Sequence, residues 1–325
     1  MCEGINALAQ HALAYHALVI CALAVLLSFC APAHAEKNLV RPPGTTRYGV
    51  MVRELNALLR YDKSHEKRMA LSSLGRSVRG RKLWMVTLGS GPKRIFYLCR
   101  QHGHEPASTE GALAFINKLV TANADLPIAS CLKAVTVSIV PMANPDGSEA
   151  FLRHNARDAD INRDWITRTQ PETKLLYTVI SKVHPDLLAD QHELYPDDTR
   201  PDFTEVAANG SGASASVIAA CEDAQAVVTG AMSAEGFPVV NRTVTDMHPA
   251  RLAHRFAAIK LGIPTVLFET NRLAGTGRIV VSRASAHEVF METLLRYLGG
   301  DRDVLVSEAA GHPALPVPTE QKGTD

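Results

Sequence analysis

The sequence lacks a charge excess of either sign. Its 34 Lys and Arg residues nearly balance its 33 Asp and Glu residues, which gives a net charge of +1 for 325 residues. A protein that binds nucleic acid through its phosphates needs a basic surplus, so nucleic acid is not expected as a partner. The hydrophobic fraction of 46% argues against a disordered chain and is typical of a protein with a packed core.

Several chemical motifs are also missing. The sequence has no G-x-x-x-x-G-K-[ST] phosphate loop, no glycine-rich dinucleotide turn and no G-x-S-x-G nucleophile motif. None of the six cysteines forms a C-x-x-C pair. These absences argue against nucleotide-dependent enzymes, against serine hydrolases of the G-x-S-x-G type and against a cysteine-based metal site.

Only one long apolar run is present, from 17 to 31, and Ala33-His34-Ala35 follows it. The run is shorter than the ~20 residues of a membrane span, and A-x-A is the cleavage signature of a secretory signal peptide. We therefore predict a signal peptide at 1–35, cleavage before Glu36, a periplasmic or secreted protein, and no stable membrane insertion after cleavage. The run is preceded by no Lys or Arg, which leaves an uncleaved N-terminal anchor as the alternative.

Residues 36–45 contain Pro42-Pro43-Gly44 and are predicted to form a linker or short leader. The cysteines beyond this point are Cys99, Cys131 and Cys221. Three cysteines in an oxidising compartment can form at most one disulfide and leave one free thiol. Three buried, unpaired cysteines are the other interpretation, and the sequence does not favour either one.

Strand-like and helical segments alternate over 46–300, which we interpret as a single domain. Strands are predicted at 82–88, 94–99, 134–141, 186–190 and 263–268. Helices are predicted at 48–59, 110–123, 172–183 and 284–298, and one further helix is predicted to end at 231. This alternation predicts an α/β fold with a mixed, mostly parallel sheet and helices on both faces, a three-layer sandwich. The polar, proline-containing end at 301–325 is predicted to be a disordered tail.

Chemically active side chains follow the predicted strands, where open α/β sheets place their sites. His102 and Glu105 follow the second strand, Asn144-Pro145-Asp146-Gly147 follows the third, His192 follows the fourth, and Glu269 directly follows the fifth. Arg153 and the run Asp160-Ile161-Asn162-Arg163 come shortly after the third strand as well. A single His-x-x-Glu arises often by chance, but several such residues in this order are a strong signal.

This arrangement resembles the zinc carboxypeptidase family of metallopeptidases, with the carboxypeptidase A-like fold. The resemblance extends from Tyr48 to Leu298 and includes Gly75-Arg76-Ser77-Val78-Arg79-Gly80-Arg81, similar to the G-x-S-x-x-G-R that precedes the first strand in many members. It implies a hydrolase that holds one zinc per chain and removes the C-terminal residue of a peptide with a free terminal carboxylate, taken from a protein or from cell-wall peptide.

The resemblance also implies residue roles. His102, Glu105 and His192 match the zinc ligands, three N/O donors that leave one coordination position open. Asp160 matches the aspartate that orients the first histidine, and Arg153 matches the arginine that polarises the scissile carbonyl. Asn162 and Arg163 match the pair that grips the terminal carboxylate. Glu269 matches the general base and acid that works on water.

Three departures from the family pattern leave alternatives open. His104 replaces the arginine inside His-x-x-Glu, and His102-x-His104 is a second possible ligand pair, although the motif favours His102. No tyrosine lies between Tyr195 and Tyr297, so His248 is a candidate to cap the site in place of the family tyrosine, or is an ordinary loop histidine. Arg255 either faces an anionic substrate group or forms a structural ion pair.

Two other functions compete with a carboxypeptidase. The related aspartoacylase/succinylglutamate desuccinylase type has similar H-G-x-E-P and D-x-N-R motifs. Enzymes of that type release an acyl group from an N-acyl amino acid. Asn144-Pro145-Asp146-Gly147 and Arg153-x-Asn155 resemble the peptidase branch more closely. A catalytically inactive binding protein is disfavoured because every implied residue is present.

Overall fold

The computed structural model describes residues 39–65, 68–122, 127–272 and 280–310. The predicted signal peptide and residues 36–38 of the predicted linker lie outside these ranges. The described residues build one eight-stranded mixed sheet in the order β1-β2-β4-β3-β5-β8-β6-β7. Its strands are β1 Met69–Arg76, β2 Lys82–Leu88, β3 Lys93–Cys99, β4 Val135–Val140, β5 Leu187–Glu193, β6 Phe203–Ala207, β7 Val240–Val244 and β8 Thr265–Thr270.

The centre of the sheet is parallel. β3 pairs in parallel with β4 on one side and β5 on the other, and β5 pairs in parallel with β8. β6 and β7 also pair in parallel, whereas β1–β2, β2–β4 and β6–β8 are antiparallel. The predicted α/β class with a mixed, mostly parallel sheet is confirmed.

Helices connect most of these strands. They are α1 Tyr48–Ser64, α2 Ala107–Thr121, α3 Pro127–Ala134, α4 Pro145–Ala150, α5 Pro171–Val183, α6 Ala215–Ala234, α7 Ala253–Phe256, α8 Val280–Gly299 and α9 Arg302–Ala309. A wider π-helical turn, Ala257–Leu261, continues α7, and a 3₁₀ turn spans Ile161–Arg163.

Alternate side chains of β3 enter two different cores. Ile95, Tyr97 and Cys99 pack into the larger core on one face, and Phe96 and Leu98 pack into the core on the other face. Because a strand directs successive side chains to opposite faces, a strand buried on both sides reads as a continuous apolar run. This explains why the sequence identified the central strands and the helices on both faces.

The predicted strands omitted β1, β6 and β7. β1 lies at one edge and exposes much of its length, and β6 and β7 are five-residue strands near the other edge. Short or half-exposed edge strands carry a weak apolar pattern, so sequence patterning missed them. The Gly75–Arg81 motif therefore does not precede the first strand. It closes β1 and forms the turn into β2.

The three cysteines in the described part of the chain, Cys99, Cys131 and Cys221, are buried and unpaired. Of the two alternatives that the sequence left open, the structure shows the free thiols. Among the described helices, none combines the length and the apolar character that a bilayer crossing requires.

The expected disorder from residue 301 is wrong for Arg302–Ala309, which forms α9. The fully buried Leu305 packs α9 against Val227, Ala231 and Tyr297. One apolar residue that fits a gap between α6 and α8 is enough to dock a polar helix, and composition alone does not reveal such a contact. Residues 311–325 lie outside the described residues.

We predict that Leu305→Ala lowers the free energy of unfolding by about 2–4 kcal/mol, because it leaves a cavity where α9 docks. Val304→Ala is the matched control, since Val304 is the preceding residue of α9 and is 51% exposed. Chemical denaturation of both variants measures the difference. Equal, small effects of the two substitutions would contradict the docking of α9.

Candidate metal centre and active site

The first part of the site is a tight loop between β3 and α2. The backbone N–H of Glu105 donates to the carbonyl of His102 at 3.1 Å, which closes one turn. Both side chains thereby reach the same place, and His102 Nδ1 lies 2.7 Å from Glu105 Oε1. The His-x-x-Glu spacing thus works here through a turn at the strand end.

The loop is fixed by close packing against the start of α4. A Cβ on Gly103 would lie 2.0 Å from the carbonyl carbon of Gly147, so only glycine fits. Asn144 caps α4 by accepting from Gly147 N at 2.9 Å. Its side-chain amide also donates to the carbonyls of Gln101 and Arg153. This explains the physical role of the Asn-Pro-Asp-Gly motif, which holds the loop and Arg153 in one register.

The third predicted ligand, His192, comes from β5, the neighbour of β3. Its Nδ1 lies 2.8 Å from Glu105 Oε2 and 3.1 Å from His102 Nδ1. The candidate donor atoms of His102, Glu105 and His192 all lie within 4.8 Å of one another, and the three residues are buried. The structure therefore brings the three predicted ligands together.

Each histidine is held from behind by a carboxylate. His102 Nε2 lies 3.2 Å from Asp160 Oδ1, as the resemblance implied, and His192 Nε2 lies 3.1 Å from Asp190 Oδ1. A carboxylate on Nε2 fixes the ring orientation and directs the Nδ1 lone pair of each histidine toward the common centre.

Charge pairing allows these groups to be buried together. Burial alone would raise the pKa of Glu105, but the neighbouring His102 and His192 hold it well below its usual range. Burial likewise disfavours a charged His192, yet Asp190 and Glu105 raise its pKa well above its usual range. Opposite charges at these distances stabilise the ionised forms in a low-dielectric interior.

His104 does not join this cluster. Burial lowers the pKa of His104 to about 2, and its ring packs edge-on against Tyr195 with 5.0 Å between centroids. The metal-binding group among the described residues consists of His102, Glu105 and His192 alone. The geometry therefore favours His102 over His104 as the ligand from this loop.

Arg153 borders the centre. Its Nη2 and Nε atoms lie 2.9 and 3.0 Å from Asp160 Oδ2, and its Nη1 atom lies 3.8 Å from Glu105 Oε1. The guanidinium also lies over the Tyr195 ring, 5.7 Å from the centroid. The side chain keeps 18% of its surface exposed, so a group bound in front of the centre can reach it.

Glu269 lies beside His192 because β5 and β8 are parallel neighbours that pair these two residues. Paired residues of a parallel ladder direct their side chains to the same face, ~5 Å apart. Burial raises the pKa of Glu269 to about 7; the charge of His192 opposes this and that of Glu105 adds to it. A carboxyl group that titrates near neutrality is suited to proton transfer.

The raised pKa predicts a pH-dependent effect of Glu269→Gln on the chelator-treated protein. Between the pKa of Glu269 in the unfolded chain, about 4.3, and its higher pKa in the folded protein, the native state binds a proton that the unfolded state has released. The free energy of unfolding of wild type therefore falls as pH rises through this range. The glutamine cannot ionise. The stability of the variant relative to wild type should therefore increase by about 2 kcal/mol from pH 5 to pH 8.

Urea unfolding at the two pH values measures this change. Glu235→Gln serves as the control, because Glu235 is exposed at the end of α6 and keeps its contact with water in both states. A stability difference for Glu269→Gln that does not change with pH would contradict the raised pKa.

Asn162 and Arg163 lie in the 3₁₀ turn after Asp160, but they face different surroundings. Asn162 is buried, and its Oδ1 accepts from Ala253 N at 3.0 Å. Its Nδ2 lies 3.2 Å from His192 Nε2. Arg163 is 54% exposed, with Nε 3.4 Å from Asp160 Oδ2. Of the predicted carboxylate-binding pair, Arg163 has the guanidinium accessible to a ligand, whereas the amide of Asn162 is engaged within the protein.

The two further candidates for substrate binding lie elsewhere. His248 is exposed and lines a surface cavity of 540 Å³ with Arg168, Tyr177 and Phe256, whose described lining includes none of the three candidate ligands. Arg255 Nη2 lies 3.1 Å from Glu205 Oε1. The structure thus favours the structural ion pair for Arg255, the second of the two alternatives.

Two polar residues of the site had no role assigned from the sequence. Asp190 holds His192, and Gln101 Nε2 donates to Asp190 Oδ1 at 2.8 Å. Gln101 Oε1 in turn accepts from Trp165 Nε1 at 3.1 Å. The available signal for Asp190 was the Asp-x-His spacing, which places both side chains on one face of a strand.

Comparison with known proteins finds similarity to zinc carboxypeptidases in one part of the chain. Residues 55–186 match the family model of zinc carboxypeptidases. The chain is 31% identical over 139 residues to "Carboxypeptidase SOL1" of Arabidopsis thaliana, covering 38% of this chain and 28% of that protein. It is 33% identical over 128 residues to "Carboxypeptidase M" of Mus musculus, covering 32% of this chain and 29% of that protein. The aligned parts span less than a third of either relative.

The fold extends the similarity beyond the aligned segment. A solved metallo-carboxypeptidase from Burkholderia cenocepacia superposes with a TM-score of 0.65 at 21% identity, over 80% of this chain and 69% of that one. The fold is thus that of the metallo-carboxypeptidases, and residues 55–186 are similar in sequence to the zinc carboxypeptidase family. His192 and Glu269 lie outside the residues that the family model matches, so their place in the site rests on the fold.

Proposed function

We propose that the protein is a zinc-dependent metallocarboxypeptidase that hydrolyses the C-terminal peptide bond of peptides. The observation that carries this proposal is the buried cluster of His102, Glu105 and His192, with Arg153 and Glu269 beside it. Two nitrogen donors and one carboxylate form the ligand set of an open catalytic zinc site.

The donor set fits zinc in size as well as in chemistry. Two ligands of a tetrahedral zinc at ~2.1 Å lie about 3.4 Å apart. The His102 and His192 Nδ1 atoms are 3.1 Å apart, and each lies within 2.8 Å of a Glu105 oxygen, so small shifts would admit the ion. When bound, zinc would supply a Lewis acid that polarises a carbonyl and favours loss of a proton from water.

The remaining residues divide the chemistry between them. Glu269 takes a proton from water and returns it to the leaving amine, a role that suits a carboxyl with a pKa of about 7. The guanidinium of Arg153 stabilises the negative charge that develops on the carbonyl oxygen. Asp160 and Asp190 keep the rings of His102 and His192 in place throughout.

Specificity for the chain end is assigned to Arg163, whose exposed guanidinium is suited to a bidentate contact with a terminal carboxylate. The family resemblance adds Asn162 to this contact, whereas His248 lines a separate surface cavity and is not assigned a role in capping the site. Export to the periplasm or beyond, through cleavage near Ala35, is a separate proposal that rests on the sequence of residues 1–35.

We predict that His192→Ala loses stoichiometric zinc, because two remaining donors cannot hold the ion tightly. His104→Ala is the matched control, since His104 is also a buried histidine but does not contribute to the cluster. Metal analysis after dialysis measures both variants. Retained zinc in His192→Ala, or lost zinc in His104→Ala, would overturn the ligand assignment.

We further predict that wild type cleaves a blocked dipeptide with a free terminal carboxylate much better than its amide. The amide carries no charge to pair with the Arg163 guanidinium, which is 54% exposed, so it loses the bidentate contact that the free acid makes. Arg163→Ala should cripple cleavage of the free acid and change the already poor cleavage of the amide little. Glu269→Gln, with turnover reduced ~10²–10⁴-fold, shows that the cleavage belongs to this site.

The same assay decides between the competing functions. Equal cleavage of the acid and the amide by wild type would refute the exopeptidase proposal. Release of an acyl group from an N-acyl amino acid, without cleavage of either peptide, would instead identify the aspartoacylase-type alternative.

A further inference from the structure

A line of buried charged groups leads away from His192 on the side opposite to the metal centre. It begins at Asp190 and continues through His254 and Glu205 to Arg255. His254 Nδ1 lies 3.4 Å from Asp190 Oδ2, an ion-pair distance, and His254 Nε2 lies 3.2 Å from Glu205 Oε1. Arg255 Nη2 lies 3.1 Å from the same Glu205 oxygen. We call these four residues the buried array.

The sheet register explains how the buried array assembles. Asp190 in β5 and Glu205 in β6 both pair with Leu267 of the strand between them, β8. They therefore lie on the same face of the sheet, about 10 Å apart across two strand spacings. That gap is too wide for direct contact, and His254 from α7 bridges it with one ring nitrogen toward each carboxylate.

The buried array balances its own charges. Asp190 is fully buried, and Glu205 and His254 are 7% and 1% exposed. Although burial opposes it, contact with both carboxylates raises the pKa of His254, which favours the imidazolium ion. Conversely, His254 and Arg255 hold the pKa of Glu205 at about 2. Two anions and two cations thus alternate, as a low-dielectric site requires.

His254 has a specific effect on Asp190. Oδ1 of Asp190 faces His192 Nε2 and receives a hydrogen bond from Gln101. Among the described residues, no donor forms a hydrogen bond with Oδ2, so the charge of His254 is what balances that oxygen. Without the charge of His254, Asp190 Oδ2 is a buried carboxylate oxygen that nothing balances, which favours rotation of the carboxylate away from His192. The His192 ring then loses the contact that fixes its orientation.

We propose that His254 and Glu205 are positioning residues for metal binding: through Asp190 they hold the His192 ring with Nδ1 toward the centre. This inference rests on the proposed metal site and adds to it residues that contact neither the metal nor the substrate. It also gives Arg255 a role, as the half-buried cation that balances Glu205 at the outer end of the array.

The test compares the zinc affinities of His254→Gln and Glu205→Gln with wild type, by competition with a chelator of known affinity. Each variant keeps a hydrogen-bonding side chain of similar size but removes the charge. Loss of such outer partners typically weakens metal affinity ~10–100-fold, and we expect at least about 10-fold for each variant. Asp62→Asn is the control, a buried carboxylate that accepts from Arg68 N and Met69 N, away from the array.

Two further measurements distinguish positioning from a general loss of stability. The double variant should bind zinc no more weakly than His254→Gln alone, because both changes break one chain of contacts. In the chelator-treated protein, NMR should show a His192 Nε2–H proton protected from exchange in wild type and in Asp62→Asn, and a rapidly exchanging one in the variants, because the contact with Asp190 is lost.

Each outcome decides the inference. Wild-type zinc affinity and a protected His192 Nε2–H proton in the two folded variants would overturn it, while the proposed function would stand. Failure of wild type to bind zinc would instead refute the proposed function. If either variant fails to fold, Arg255→Gln at the outer end of the array decides. Weaker zinc binding than in wild type supports the array, and unchanged binding overturns it.

Discussion

The site depends on the pairing of buried charges. Glu105 lies between two histidines, and each histidine lies between Glu105 and a second carboxylate, Asp160 or Asp190. An isolated charge in this interior would be strongly destabilising, and the three carboxylates are tolerated because histidine or arginine side chains lie against them. The alternation also determines geometry, since a ring held at Nε2 by one carboxylate has only Nδ1 left for a ligand.

This alternation of charges constrains the fold around it. Asp160 receives both the His102 contact and the Arg153 guanidinium, so the segment after α4 must return to the β3 end. Asn144 ties that return to the loop through the carbonyls of Gln101 and Arg153. A glycine at 103 is then unavoidable, because the two backbones meet too closely for any side chain. The polar motif and the glycine are therefore two consequences of one packing requirement.

The central sheet could be predicted from the sequence because β3, β4, β5 and β8 are buried on both faces and read as apolar runs. The cluster of His102, Glu105 and His192 could be predicted because these residues follow such strands in the order that the family resemblance implies. Strands β1, β6 and β7 could not, since β1 is partly exposed at the edge of the sheet and β6 and β7 are only five residues long. Helix α9 was missed because its docking depends on one leucine in a polar segment.

The contacts between residues far apart in the chain could not be predicted from the sequence either. Asp190 was visible beside His192 but had no assigned role, and Glu205 carried no signal because β6 itself was not recognised. Pairing of His254 with both Asp190 and Glu205 requires the register of three strands. His254 is 49 positions from Glu205 and 64 positions from Asp190 in the sequence, and no local pattern encodes such contacts.

The two halves of the site therefore arise by different means. His102, Glu105, Arg153 and Asp160 come from one stretch of chain that carries recognisable motifs and lies within the residues that match the family model. His192 and Glu269 come from later strands, and only the parallel register of β5 with β3 and β8 brings them to the same edge. A shift of one residue in β8 would turn Glu269 to the opposite face of the sheet. Strand register thus controls the position of Glu269 as strictly as the motifs control the positions of His102 and Glu105. The pairing of Asp190 and Glu205 with the same residue of β8 ties the buried array to that register.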